Sequence, residues 1–141
     1  MTGGDSGIGR SVCCLFAAEG AQVAFVYKGG PEDQDAEVTK KEVERISKGQ
    51  CKAMAIAVDL GYDENCKKIV DAVVKQYGRI DILVNNASEQ FYAESVEDIK
   101  PEQLERTFRS NIFSMFYLTR HAVKHMKVNL SHHLTLPNIR I

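Results

Sequence analysis

Two hydrophobic rhythms alternate along this chain: short continuous apolar runs, and longer stretches in which apolar residues recur every three or four positions. Residues 22–27, 52–58 and 80–84 are runs of the first kind, rich in Val, Ile and Ala, and each reads as a strand. Rhythms of the second kind lie between them. Val12, Leu15, Phe16 and Glu19 follow the first glycines at helical spacing, and Gly20 is a natural stop. A charged helix over 35–48 is thinly amphipathic through Val38, Val43 and Ile46 and ends at Gly49. The clearest helix is 64–77, where Cys66, Ile69, Val70, Val73, Val74 and Tyr77 form one unbroken stripe. Asp63 is placed to cap its start and Gly78 to end it. Pro101 opens the last helical region, in which Leu104, Phe108, Ile112, Met115, Thr119, Ala122 and Met126 trace one face over about six turns. Strands alternating with helices predict an α/β fold with a parallel sheet. From Val128 to Ile141 the rhythm fails, giving neither clean alternation nor a capped helix.

Thr2-Gly3-Gly4-Asp5-Ser6-Gly7-Ile8-Gly9-Arg10 is a glycine-rich turn running straight into the first helix. Glycine permits positive φ and lets a phosphate approach where a Cβ would collide. The helix that follows presents unpaired N–H groups and a partial positive charge to that phosphate. The turn therefore points to a dinucleotide pyrophosphate, with Gly3, Ser6, Gly7, Ile8 and Gly9 around it. Its spacing is T-G-x-x-x-G-x-G, and no Lys-Ser or Lys-Thr follows to make a P-loop. Three glycines before a helix also fit a plain turn.

Composition narrows the picture. The 141 residues are enough for one domain with a core. With 18 basic and 19 acidic residues and no basic block, nothing suggests nucleic acid. No apolar run approaches the ~20 residues of a membrane span, and no signal or transit segment is visible. Cys13, Cys14, Cys51 and Cys66 form no C-x-x-C pair, so reduced thiols and a cytoplasmic location are the default. Cys13 and Cys14 read as small side chains in the first helix. His121 and His125, at i and i+4, could form half a metal site, but without a carboxylate helper they read as surface histidines.

With the turn, Asp59-Leu60, Asn85-Asn86-Ala87 and Asn111 in this order, residues 2 to 127 resemble the short-chain dehydrogenase/reductase family. The wording Gly-Gly-Asp-Ser-Gly-Ile-Gly-Arg, Asn-Asn-Ala-Ser-Glu-Gln and Thr-Arg-His-Ala is similar to its glucose-and-ribitol-dehydrogenase-like branch, whose plant members are known as NADPH-dependent aldehyde reductases. The resemblance implies a Rossmann-type doubly wound sheet. Gly3, Gly7 and Gly9 would line the pyrophosphate and adenosine ribose. Asp59 and Leu60 would meet the adenine edge, Asp59 accepting from the exocyclic amine. Asn85 would brace the central sheet, and Asn86 and Ala87 would flank the adenosine and ribose. Asn111 matches the helix asparagine whose carbonyl holds a water in the family's proton relay. Ser88 departs from the pattern, which has glycine there. Taken singly, Asp59 is equally a strand-end cap, Asn85-Asn86 a turn and Asn111 a solvated helix residue. The strand over 22–27 ends in Tyr27-Lys28, with no acid before Glu32. Lys28 offers a cation to a 2′-phosphate, which favours NADP(H) over NAD(H), although it also fits a solvated loop.

The family's proton donor is a tyrosine with a lysine four residues on, which lowers its pKa. Four residues after Tyr27, Tyr62, Tyr77, Tyr92 and Tyr117 stand Pro31, Cys66, Asp81, Val96 and His121, none of them lysine. Ser131 does not fit the context of the family's serine. In a sheet of order 3-2-1-4-5-6, the first strand sits between the second and the fourth, and here it would precede Thr2. The expectation is an incomplete dinucleotide-binding domain over 1–127 and a divergent, poorly specified tail over 128–141. Its complete relative would act on a small carbonyl or polyol, while this chain alone would be inactive. A plastid form of that relative stays open. The alternative is a non-catalytic module that binds nucleotide or pairs, as homo- or hetero-oligomer, through the long helix 111–126.

Overall fold

The computed structural model of the chain describes residues 1–126; the tail 128–141, with Ser131, His132 and His133, lies outside the described residues. The elements follow the predicted alternation: α1 (Gly7–Ala18), β1 (Ala24–Tyr27), α2 (Asp33–Ile46), β2 (Met54–Ala57), α3 (Asp63–Tyr77), α4 (Pro101–Phe108) and α5 (Ser114–Ala122). A π-helical turn, Arg109–Phe113, joins the last two. β1 and β2 pair in parallel, from Ala24 opposite Met54 to Tyr27 opposite Ala57.

Because side chains alternate across a strand, β1 feeds two cores. Phe25 packs with Cys13, Ala17, Ala36 and Val43 from α1 and α2 on one face. Val26 packs with Cys66, Ile69, Val70, Leu118 and Ala122 from α3 and α5 on the other. Helices on both faces of a parallel sheet make this an incomplete doubly wound fold. Among the described residues, no helix is long and apolar enough to cross a membrane.

Three strands were expected, and 80–84 forms none. Residues 1–3 lie between it and β1. Val26 N–H donates to the Met1 carbonyl at 2.9 Å, Gly3 N–H to the Val26 carbonyl at 2.8 Å, and Thr2 N–H to the Val84 carbonyl at 3.0 Å. Val84 therefore does have a partner, but one residue makes no ladder. Beyond Met1 the slot continues as an apolar groove of about 400 Å³ between Val23–Ala24 and residues 80–84.

The helix faces also differ from the periodicity. In α1 the inward residues are Gly9, Cys13 and Ala17, while Leu15 is exposed; small side chains let the helix lie close to Phe25. In α2 they are Ala36, Thr39 and Val43, while Val38 is exposed. Asp63 does not cap α3: Tyr62 takes that position. The Asp63 carboxylate instead pairs with Arg120 at 2.6 Å and His121 at 2.8 Å, so His121 is a half-buried packing residue. Along the last helix the buried stripe is Ser110, Ser114, Leu118 and Ala122. Leu104, Phe108 and Ile112, predicted to face inward, are exposed. The packed surface of α3 is already apolar, so small groups at i and i+4 allow close helix approach, and the larger residues are left outside.

Leu118, 1 % exposed, and Phe116, 72 % exposed, separate these faces. In urea denaturation, Leu118→Ala is expected to destabilise the chain by ~2–5 kcal/mol, and Phe116→Ala by no more than ~0.5 kcal/mol.

Candidate functional site

At the C-terminal ends of β1 and β2, next to the N-terminus of α1, lies a cleft of about 410 Å³. Gly3, Ser6, Gly7, Ile8, Gly9, Lys28, Asp59, Leu60, Asn86 and Ala87 all line it. A sheet's carboxyl end beside a helix N-terminus is the place where such folds bind ligands.

The turn is shaped by contact. A Cβ on Gly9 would stand 1.7 Å from the Gly3 carbonyl oxygen, so only glycine fits. Gly7 has φ +50°, and nothing lies within 4 Å of where its Cβ would be. Backbone is thus left bare towards the cleft, where the first N–H groups of α1 have no intrahelical acceptor. Ser6 occupies the N-cap position without a side-chain cap bond. A cradle closed behind Gly9 and open in front of Gly7 fits a pyrophosphate.

Thr2, which opens the motif in the sequence but was given no role of its own there, ties this turn to the opposite wall. Its hydroxyl oxygen accepts from Asn86 N–H at 2.9 Å and Ala87 N–H at 3.0 Å. The Asn86 amide in turn donates to the Thr2 and Gly3 carbonyls at 3.1 and 3.2 Å. Arg10 secures the other side, donating to the Asp5 carbonyl and to Thr39 of α2. Asn85 braces no central strand; its amide reaches Thr119 at 3.4 Å, and its carbonyl oxygen is buried without a partner.

Asn111 does not line the cleft. It faces an adjoining cavity of about 380 Å³, and its amide clamps the backbone of Glu89. Asn111 Oδ1 accepts from Glu89 N–H at 2.8 Å, and Nδ2 donates to the Glu89 carbonyl at 2.9 Å. This aims the Glu89 carboxylate into a network that sequence reasoning missed. Oε2 accepts from Arg106 Nε and from the Ser110 hydroxyl, both at 2.5 Å, and Oε1 accepts from Lys28 Nζ at 2.5 Å. Arg106 Nη1 also holds both oxygens of Asp59, at 3.0 and 2.7 Å, and the Gly61 N–H donates to Asp59 at 2.8 Å. Asp59 is thus engaged by Arg106, and Lys28 is paired across the cleft. No local signal marks these pairs, whose partners are 17 to 61 residues apart.

Hydrogen bonding from Arg106, helped by Lys28 and Ser110, holds the Glu89 carboxyl at a pKa of about 2 against the cost of burial. Burial works against the Asp59 charge too, but Arg106 and the Gly61 N–H outweigh it and keep its pKa below the ordinary value. The same carboxylates, Glu89 first, push the Arg106 pKa up.

A sequence profile of the family described as short chain dehydrogenase matches residues 1–133. The chain belongs to this family. It is 57 % identical over 128 residues to the glucose and ribitol dehydrogenase of Daucus carota, an alignment covering 90 % of this chain and 44 % of that protein. It is 55 % identical to NADPH-dependent aldehyde reductase 1, chloroplastic, of Arabidopsis thaliana, with the same coverage. Among solved structures, a blue fluorescent protein from a metagenomic library in complex with NADPH superposes with a TM-score of 0.80 at 32 % identity, covering 89 % of this chain and 49 % of that one. This member of the short-chain dehydrogenase family therefore spans less than half the length of these relatives, and its sheet is an incomplete Rossmann fold.

The depressed Glu89 pKa has a consequence for stability. Its folded value of about 2 lies below the ordinary 4.5, so the stabilisation is complete above about pH 4.5 and is lost as pH falls towards 2. The separation corresponds to something on the order of 3 kcal/mol at neutral pH. Acid titration followed by circular dichroism is expected to show this loss. Glu89→Gln is expected to lower stability at pH 7 and flatten the acid limb; an unchanged limb would contradict the assignment.

Proposed function

We propose that this chain is the cofactor-binding part of an NADP(H)-dependent oxidoreductase. In complete form it moves hydride to or from a small aldehyde, ketone or sugar alcohol. The observation that carries this reading is the convergence of the glycine turn, Lys28, Asp59-Leu60 and Asn86-Ala87 on one cleft. The names of two relatives, a glucose and ribitol dehydrogenase and an NADPH-dependent aldehyde reductase, support the substrate class. The lysine beyond β1 and the NADPH complex of a structural neighbour support NADP(H) over NAD(H).

Gly3, Gly7 and Gly9, with the N–H groups near Ser6 and Ile8, hold the pyrophosphate. Asp59 and Leu60 take the adenine edge, Asn86 and Ala87 flank the adenosine and ribose, and Lys28 meets the 2′-phosphate. When bound, the nicotinamide supplies or accepts the hydride. Asn111 positions the 86–89 loop, and its carbonyl, in the π-helical turn, holds the relay water of the complete protein. None of the five tyrosines has a lysine four residues on, so the chain alone lacks that proton donor.

A second reading, a non-catalytic module that pairs with another subunit, rests on the exposed apolar face of Leu104, Phe108, Ile112 and Phe116. Heating the chain with NADPH separates the functions. At 100 times Kd, stabilisation of about 2.7 kcal/mol is expected, with no NADPH oxidation on adding a small aldehyde. Absence of a shift would sink the nucleotide assignment, and turnover by the chain alone would sink its inactivity.

A further inference from the structure

Among the described residues, Glu89 has three side-chain partners, and Lys28 is the one not itself fixed from behind. Arg106 is anchored by Asp59, and Ser110 lies in the buried stripe of the last helix. The Asn111 clamp holds the Glu89 backbone. Lys28, by contrast, stands just past the end of β1 with its side chain 58 % exposed, against 20 % for Glu89. Both residues line the cleft, so their ion pair joins its two walls. Glu32 adds a further carboxylate beside this lysine, accepting from the Lys28 backbone N–H at 2.8 Å.

We propose that Glu89 is a specificity-setting residue: its carboxylate holds Lys28 before nucleotide arrives and competes with the 2′-phosphate of NADP(H) for the same ammonium. The proposal rests on the reading above that the cleft takes a nicotinamide dinucleotide. A carboxylate 2.5 Å from Lys28 Nζ occupies the position an incoming phosphate oxygen needs, and like charges at such range repel. NADP(H) must break the Lys28–Glu89 pair, whereas NAD(H), with no 2′-phosphate, leaves it intact. The fixed side of Glu89 decides which partner moves: Lys28 swings to the phosphate, and Glu89 stays with Arg106 and Ser110. The chain thus prefers NADP(H) less than its lysine alone would dictate.

Nicotinamide fluorescence gives the affinities of the 141-residue chain for NADPH and NADH directly, without turnover. Glu89→Gln keeps hydrogen-bonding capacity but removes the charge, and is expected to raise the NADPH-to-NADH affinity ratio about three- to fivefold. In a Lys28→Ala background the same change is expected to leave the ratio unmoved, which isolates the pair. Taking a ratio cancels any general loss of folded protein. Should Glu89→Gln fail to fold by circular dichroism, Glu89→Asp carries the test: one methylene shorter, it is expected to raise the ratio by a smaller factor. An unchanged ratio in a chain that binds NADPH overturns the proposal and leaves the cofactor reading standing. An effect that persists in Lys28→Ala also overturns it. Failure of the parent chain to bind either nucleotide overturns both.

Discussion

The cleft depends on a strip of three residues. Met1, Thr2 and Gly3 hydrogen-bond to β1 along one edge and to residues 84–87 along the other, so the backbones of the two walls are tied together through them. Thr2 is the centre of that strip, almost wholly buried, with its hydroxyl shared between two backbone N–H groups of the Asn86-Ala87 segment. Buried polar groups need such partners because water cannot replace them. The Gly3 carbonyl then abuts Gly9 so closely that the first turn of α1 is fixed relative to the same strip. Remove this attachment, and the glycine turn still forms locally but no longer faces the residues that complete the cleft.

Electrostatics form the second constraint. Two cations and two anions, Lys28, Arg106, Glu89 and Asp59, close a neutral chain of ion pairs along the cleft. Such a network orders side chains from four separate parts of the sequence. It also commits groups that a nucleotide would otherwise find free. Asn111 belongs to this arrangement through the backbone of Glu89. Its side chain therefore acts on the geometry of the cleft rather than within it.

The glycine turn, the alternation of strands and helices, the stripe of α3 and the Gly78 stop were all legible, because each is a local preference of backbone or spacing. The apolar face of the last helix was not. Its periodicity through Leu104, Phe108 and Ile112 is real, but burial goes to whichever face meets a neighbour, and α3 packs on α5 through Leu118 and Ala122. The strand expected over 80–84 failed for a related reason: a strand exists by its ladder, and residues 1–3 provide a single rung beside Val84.

By itself the sequence determined the α/β order, the glycine-rich turn before the first helix and the family, since these rest on residue types at short, fixed spacings. Only the tertiary structure decided that Lys28 is held by Glu89, that Arg106 occupies Asp59, and that Thr2 joins the turn to the opposite wall. Those partners lie between 47 and 84 residues apart. Charge and hydrogen bonding act through space at a few ångströms, and no spacing along the chain encodes which distant groups will meet.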